Sequence, residues 1–174
     1  MKLTGLLSEA GVLPEALTGD AAILSVVADS RKAGPGALFV AMPGPVSESI
    51  NYLQEAASAG AVAAIANHPD IFAAASKLGL SAAWIGGDKK AFNAALCKLC
   101  DEAFGHPTRS MKVVGVTGTN GKTTTAWLIR DIFHEMGTKS AYLGTLGFHK
   151  PGEVRELADT TPFREGLGQM AGIL

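Results

Sequence analysis

Between residues 23 and 104, short apolar runs alternate with longer stretches in which apolar positions recur every three or four residues. The runs 23–28, 37–42, 61–66 and 82–85 have strand length and are bounded by turn formers, whereas residues 48–59, 70–78 and 89–104 carry helical periodicity. A short helix over residues 3–10, stopped by Gly11 and Pro14, comes before them. Strands and helices in alternation predict a three-layer α/β unit.

The rhythm breaks at Gly105-His106-Pro107-Thr108-Arg109-Ser110, a stretch of turn formers and charge. A domain boundary near residue 108 is expected there, dividing the chain into 1–108 and 109–174. The second part opens with the β-branched run Val113-Val114-Gly115-Val116, read as a strand, and a loop rich in Gly, Thr and Asn. It continues into a helical pattern over residues 126–136, in which Leu128, Ile129, Ile132, Phe133 and Met136 recur at helical spacing. Residues 140–143 read as a strand, Gly144 to Gly147 as a glycine-bounded loop, and Pro151-Gly152 as the turn of a hairpin. Thr161 and Pro162 have the N-cap and first-turn preferences of a last helix. Residues 110–174 hold too few strands to close a doubly wound sheet, so the expectation is an incomplete sheet and the front part of a longer protein.

Composition narrows the class without choosing a function. Of 174 residues, 47% are hydrophobic and 18% charged, with a net charge of −1. That balance fits a soluble globular protein and offers no basic surplus for nucleic acid; no apolar run reaches membrane-spanning length. Glu9 interrupts the N-terminus before a signal-peptide core can form, so a cytoplasmic location is expected. Cys97 and Cys100 form a lone C-x-x-C, but Phe92, Leu96, Leu99 and Cys100 share one helical stripe; Cys100 reads as core and Cys97 as its flank, with no second pair to complete a metal site. His68, His106, His134 and His149 show no metal-ligand spacing and read as surface or local structural residues.

The chemistry concentrates in Thr117-Gly118-Thr119-Asn120-Gly121-Lys122-Thr123-Thr124. Gly118 and Gly121 let the backbone turn and approach a ligand closely. N–H groups at the start of the following helix point into the loop, where the helix dipole adds partial positive charge. Lys122 is placed to reach terminal phosphates and the Thr123 hydroxyl to ligate Mg²⁺. The strict pattern G-x-x-x-x-G-K-[ST] is not met, because Val116 stands where the first glycine would fall. A variant phosphate loop for a polyphosphate nucleotide is the reading, against a plain glycine turn that leaves Lys122 beside three threonines without a task.

The G-T-N-G-K-T core of this loop resembles the ATP loop of the Mur ligase family, which joins amino acids to UDP-linked muramoyl peptides. Asp29-Ser30-Arg31 with Pro35-Gly36-Ala37-Leu38-Phe39-Val40-Ala41 is similar to the signature of that family's UDP-binding domain, and Leu143-Gly144-Thr145-Leu146-Gly147 and Asp159-Thr160-Thr161-Pro162 resemble segments of the branch that adds the third peptide residue. The resemblance implies a UDP-muramoyl-peptide-binding domain over 1–108 and the start of an ATP-binding domain over 109–174. It implies ATP bound by Gly118, Thr119, Asn120, Gly121, Lys122, Thr123 and Thr124, with Lys122 catalytic and Mg²⁺ on Thr123. Ala28 and Ser30 would meet the uridine, Pro45, Val46 and Ser47 the diphosphate or sugar, and Asp159, Thr160 and Thr161 the muramoyl peptide.

The implied reaction is phosphorylation of the carboxylate of UDP-N-acetylmuramoyl-L-alanyl-D-glutamate and attack on the acyl phosphate by meso-diaminopimelate or L-lysine, in a monomeric protein. Local readings stand beside these: Ser30 as a turn cap and Thr161 as a helix cap. The family's D-G-H-like element is replaced here by residues 45–50, Pro-Val-Ser-Glu-Ser-Ile. Its later Mg²⁺-binding glutamate, carbamylated lysine and amino-acid-binding domain would lie beyond Leu174, so the chain alone is expected to be inactive. Two other functions remain open: a binding module for UDP-muramoyl peptide or nucleotide without catalysis, and a different P-loop NTPase such as a small-molecule kinase.

Overall fold

The computed structural model describes residues 1–156, apart from the Thr108 side chain. It contains two compact units, Met1–Ala103 and Phe104–Leu174, dividing where the turn-rich stretch begins.

In the first unit, strands β2 (Ser25–Val27), β3 (Ala37–Val40), β4 (Ala63–Ala66) and β5 (Ser81–Trp84) run parallel. A short β1 (Ala16–Thr18) pairs antiparallel with β5, giving the order β1-β5-β4-β3-β2. All four residues of β3 and all four of β4 are buried. This is why the sequence shows them as continuous apolar runs: parallel strands covered on both faces lose the polar alternation of a half-exposed sheet.

Helices α1 (Leu3–Glu9), α2 (Val46–Ser58), α3 (Pro69–Lys77) and α4 (Lys89–Ala103) supply that cover. Ala37 and Phe39 of β3 share one core cluster with Ala64 and Ala66 of β4, Leu53 and Ala56 of α2, and Ile71 and Ala75 of α3. Leu38, Val40, Ala63 and Ile65 alternate with these and project from the other face, where they are equally buried. Helix α4 packs on β2 and against α1, and it contributes buried Phe92, Leu96, Leu99 and Cys100. The predicted three-layer unit, with Cys100 in its core and Cys97 half-buried at the flank, is thus observed. His68 has the local role expected of it: as N-cap of α3, its Nδ1 accepts from the backbone N–H of Asp70 at 3.2 Å.

Strand β1 escaped the sequence reading because three residues at a sheet edge leave no usable periodicity. Its exit explains one glycine. Gly19 has φ +67°, and a Cβ there would lie 2.5 Å from Ser81 Oγ, the atom that accepts from the Ala21 N–H at 2.9 Å. A side chain at 19 would displace the Ser81 hydroxyl from the Ala21 N–H.

The second unit departs further from expectation. Residues 113–116 form no strand: a ladder needs a partner, none pairs with this run among the described residues, and Val113 and Val114 stay exposed. The helix after the loop, α6 (Lys122–Glu135), begins four residues earlier than its apolar pattern suggests and follows a short α5 (Pro107–Ser110). Of the apolar residues that recur at helical spacing, Leu128, Ile132, Phe133 and Met136 are exposed and Ile129 is half-buried.

The face that packs is instead built on Trp127, whose ring lies 5.2 Å from that of Tyr142 and 4.7 Å from that of His149. The Arg130 guanidinium sits 4.8 Å from the Trp127 ring. Tyr142 and His149 belong to β6 (Tyr142–Gly144) and β7 (Gly147–Lys150), which with β8 (Glu153–Arg155) form an antiparallel meander. Pro151 and Gly152 join β7 to β8 in the expected hairpin turn, with Gly152 at φ +78°. Across this hairpin the half-buried Glu153 pairs with Lys150 at 2.9 Å and also with the exposed Arg155.

Leu53, wholly buried among α2, α3 and the sheet, tests this packing. Leu53→Ala is expected to cost about 2–5 kcal/mol in urea denaturation, whereas Leu13→Ala, at a 93% exposed position, stays within about 0.5 kcal/mol.

Candidate functional sites

Each unit carries one candidate site. In the first, the parallel pairing of β2 and β3 puts the segments that follow them at the same, carboxyl edge of the sheet, where open α/β sheets leave a crevice for ligands. Ala28 and Ser30 follow β2, and Pro45, Val46 and Ser47 follow β3.

Residues 29–32 are shaped by Asp29. Its Oδ1 accepts from the Arg31 backbone N–H at 3.1 Å, which caps a single 3-10 turn over Ser30–Lys32. Both carboxylate oxygens also accept from the Arg31 guanidinium, Nε at 2.9 Å and Nη2 at 2.8 Å. The side-chain bonds from Arg31 hold the Asp29 carboxyl below its ordinary pKa against the opposing effect of burial. Asp and Arg of this D-S-R triplet therefore build the turn, and Ser30 is the residue the turn presents. Ser30 is buried, and its hydroxyl donates to Glu55 Oε2 of α2 at 2.7 Å. The turn-cap role weighed for Ser30 is taken by Asp29.

Val46 and Ser47 are not loop residues as the pattern suggested; helix α2 begins at Val46, with Pro45 at its N-cap, because proline fixes a φ compatible with helix entry. No side chain caps this end, so first-turn N–H groups face the carboxyl edge without a side-chain partner. Nine residues separate Val46 from Glu55, about 13 Å of helix axis at 1.5 Å per residue. Ser30 is therefore tied to the later part of α2 and not to its first turn. Asn67 directly follows β4 at the same sheet edge, and its buried Oδ1 has no hydrogen-bond partner among the described residues. Its signal in the sequence is no more than a lone amide at the end of an apolar strand.

In the second unit, residues 117–121 form an exposed loop leading into α6. Gly118 and Gly121 have φ +140° and +76°, a backbone that L side chains resist, and Gly121 is the N-cap of α6 with no side-chain cap. The N–H groups of the first turn are therefore left for a ligand. The Lys122 ammonium folds back and donates to the carbonyls of Gly118 and, at 3.3 Å, Thr119. Thr119, Asn120 and Thr124 are exposed around it. The Thr123 Oγ1 lies 3.4 Å from the hydroxyl of Thr145, in the two-residue connection between β6 and β7. Thr145 adds a residue that loop spacing alone did not indicate; the contact follows from Trp127 docking α6 on this sheet.

Backbone donors, an ammonium and a hydroxyl fit a polyphosphate. No group of three His, Cys, Asp or Glu side chains that could hold a metal occurs among the described residues. The Thr123 hydroxyl could supply one oxygen ligand to a Mg²⁺ ion, which prefers oxygen donors. Asp159, Thr160 and Thr161 lie outside the described residues.

Residues 116–172 match the family described as Mur ligase middle domain. Over 163 residues, 93% of this chain, the sequence is 34% identical to the UDP-N-acetylmuramoyl-L-alanyl-D-glutamate--2,6-diaminopimelate ligase of Bacillus cereus. The chain belongs to the Mur ligase family. Ligases of the same name from Synechococcus elongatus and Xylella fastidiosa are each 35% identical, over 88% and 89% of this chain. This Mur ligase chain spans about 31% of the length of the relatives it matches. Among solved structures, a ligase of that name superimposes with TM-score 0.56 at 21% identity, covering 86% of this chain and 30% of that one. MurF from Acinetobacter baumannii gives 0.52 at 22%, covering 76% and 27%. These structures share the fold. No described helix is long and apolar enough to cross a membrane.

The Asp29 turn makes a signed pH prediction. A carboxyl whose folded pKa is depressed stabilises above its unfolded pKa, about 3.9, and loses that contribution as pH falls through the folded value. Asp29→Asn is expected to lower the melting temperature at pH 7, and the gap to wild type to close as the buffer is taken below about pH 3.9. A gap that persists unchanged in acid would show that the carboxylate charge is not what holds the turn.

Proposed function

We propose that this Mur ligase chain supplies the acceptor-binding and phosphate-binding parts of a ligase that adds the third peptide residue to UDP-N-acetylmuramoyl-L-alanyl-D-glutamate. The uncapped, glycine-led start of α6 with Lys122 folded over it carries the reading, because it brings donors together where a polyphosphate would lie. The names of the related ligases support 2,6-diaminopimelate as the added amino acid.

In this reading Ala28 and Ser30 receive the uridine, and the start of α2 at Pro45, Val46 and Ser47 receives the diphosphate or sugar. Asp159, Thr160 and Thr161 are assigned to the muramoyl peptide on sequence resemblance alone. Gly118, Thr119, Asn120, Gly121 and Thr124 cradle the phosphates of ATP. Lys122 releases the loop carbonyls and turns to the terminal phosphates, where its charge offsets the negative charge shared among the transferring oxygens. Bound Mg²⁺ supplies further charge neutralisation, and Thr123 is the residue that would hold it. Phosphoryl transfer asks mainly for such positioning and charge, which suits a site without a protein nucleophile.

Removing one charged donor from the phosphate loop should weaken ATP binding by roughly ten- to a hundredfold. Lys122→Ala in the 174-residue chain, titrated with ATP and Mg²⁺ by isothermal calorimetry, is expected to show that loss while the melting temperature stays near wild type, since Lys122 is exposed. Unchanged ATP affinity would overturn the assignment of the loop.

A further inference from the structure

We infer that Glu55 is a positioning residue that fixes Ser30 as a pure hydrogen-bond acceptor, so that the uridine end of the site selects a base with a ring N–H, as in uracil, over one with a ring acceptor, as in cytosine. The inference rests on the reading of Ser30 as a uridine contact.

A serine hydroxyl has one proton and two lone pairs, whereas an ionised carboxylate oxygen only accepts. The 2.7 Å bond from Ser30 Oγ to Glu55 Oε2 therefore consumes the only proton Ser30 has. The hydroxyl's partner is Glu55, while the neighbouring Asp29 carboxylate is paired with the Arg31 guanidinium. The Ser30 carbonyl is also engaged, accepting from the Ala33 N–H at 3.1 Å. What Ser30 Oγ can offer to a ligand is lone-pair density. Phosphate oxygens and hydrogen-bond acceptors on a base are disfavoured against it; a donor is required.

Burial sharpens this. Ser30 is 6% exposed, so a ligand group meeting the hydroxyl displaces water and must replace what water gave. The imide N–H of uracil satisfies the oxygen, while the corresponding ring nitrogen of cytosine sets acceptor against acceptor. Sites that hydrogen-bond a substrate group discriminate strongly against analogues that leave the partner unpaired. Glu55 sits on the exposed side of α2, and its contact with the turn ties that helix to the residue it orients.

The test is the ratio of UDP to CDP affinity in the 174-residue chain, measured by calorimetry. Wild type is expected to prefer UDP by about tenfold or more, the scale of one hydrogen bond gained and one repulsion avoided. Glu55→Ala frees the Ser30 proton, which can then be donated to cytosine, and the preference should collapse severalfold toward unity. Glu55→Gln, whose amide oxygen still accepts, should keep most of it. Equal affinity of wild type for the two nucleotides, or a preference unchanged in Glu55→Ala, overturns the role of Glu55. Loss of both ligands in Glu55→Ala with an unaltered circular dichroism spectrum overturns it as well. Should that variant fail to fold, Ser30→Ala carries the test, since loss of the hydroxyl must narrow the preference in the same direction. Absence of any UDP binding by wild type overturns instead the uridine reading beneath the inference.

Discussion

Parallel pairing of β2, β3, β4 and β5 is the constraint on which the first unit depends. Parallel neighbours cannot be joined by tight turns, so each connection crosses over the sheet, and crossover segments bury both faces. The apolar runs of β3 and β4 follow from that burial, as does the pairing of small strand residues with Leu53, Ile71 and the α2–α3 layer. The same constraint delivers the segments after β2, β3 and β4 to one edge. Ala28, Ser30, Pro45 and Asn67, distant in sequence, share that edge because the strands preceding them point the same way.

The second unit is organised by a contact of another kind. Trp127, one turn into α6, docks on Tyr142 and His149 and so fixes the start of the helix relative to the β6–β7 connection. The glycine loop lies just before that point, and Thr123 and Thr145 meet as a result. A helix anchored near its N-terminus can hold its first turn, and hence its unclaimed N–H groups, in a defined place even though its outer face carries exposed leucine, isoleucine and methionine.

Legibility in the sequence tracked the range of the physics. Continuous apolar runs and helical spacing reported β3, β4, α2, α3 and α4, since burial on both faces leaves a strong local imprint. Gly118, Gly121, Lys122 and the Pro151-Gly152 turn were readable because backbone conformation restricts residue type directly. Three things were not. The Val113-Val114 run has strand propensity, but a strand exists only through a partner, which propensity does not supply. The outward stripe of α6 has helical periodicity, yet periodicity says that residues share a face and not what covers it; the aromatic contacts of Trp127 decided the packed face. The tie between Ser30 and Glu55 joins residues 25 apart and appears only when α2 lies beside the turn.

Both candidate sites have functional side chains already engaged, and this governs what binding can yield. Lys122 holds the carbonyls of Gly118 and Thr119, and a phosphate must compete with those bonds before it gains the ammonium. The net contribution of the lysine is thus a difference between two hydrogen-bonded states, smaller than the full strength of a charge-assisted bond. Ser30 differs, because its bond to Glu55 uses the proton and leaves the lone pairs available, so a donor adds to the existing contact without breaking it. One site exchanges partners and the other accumulates them. Exchange favours reversible hold on a ligand that must be consumed, while accumulation favours selective hold on the part of a substrate that takes no part in the reaction.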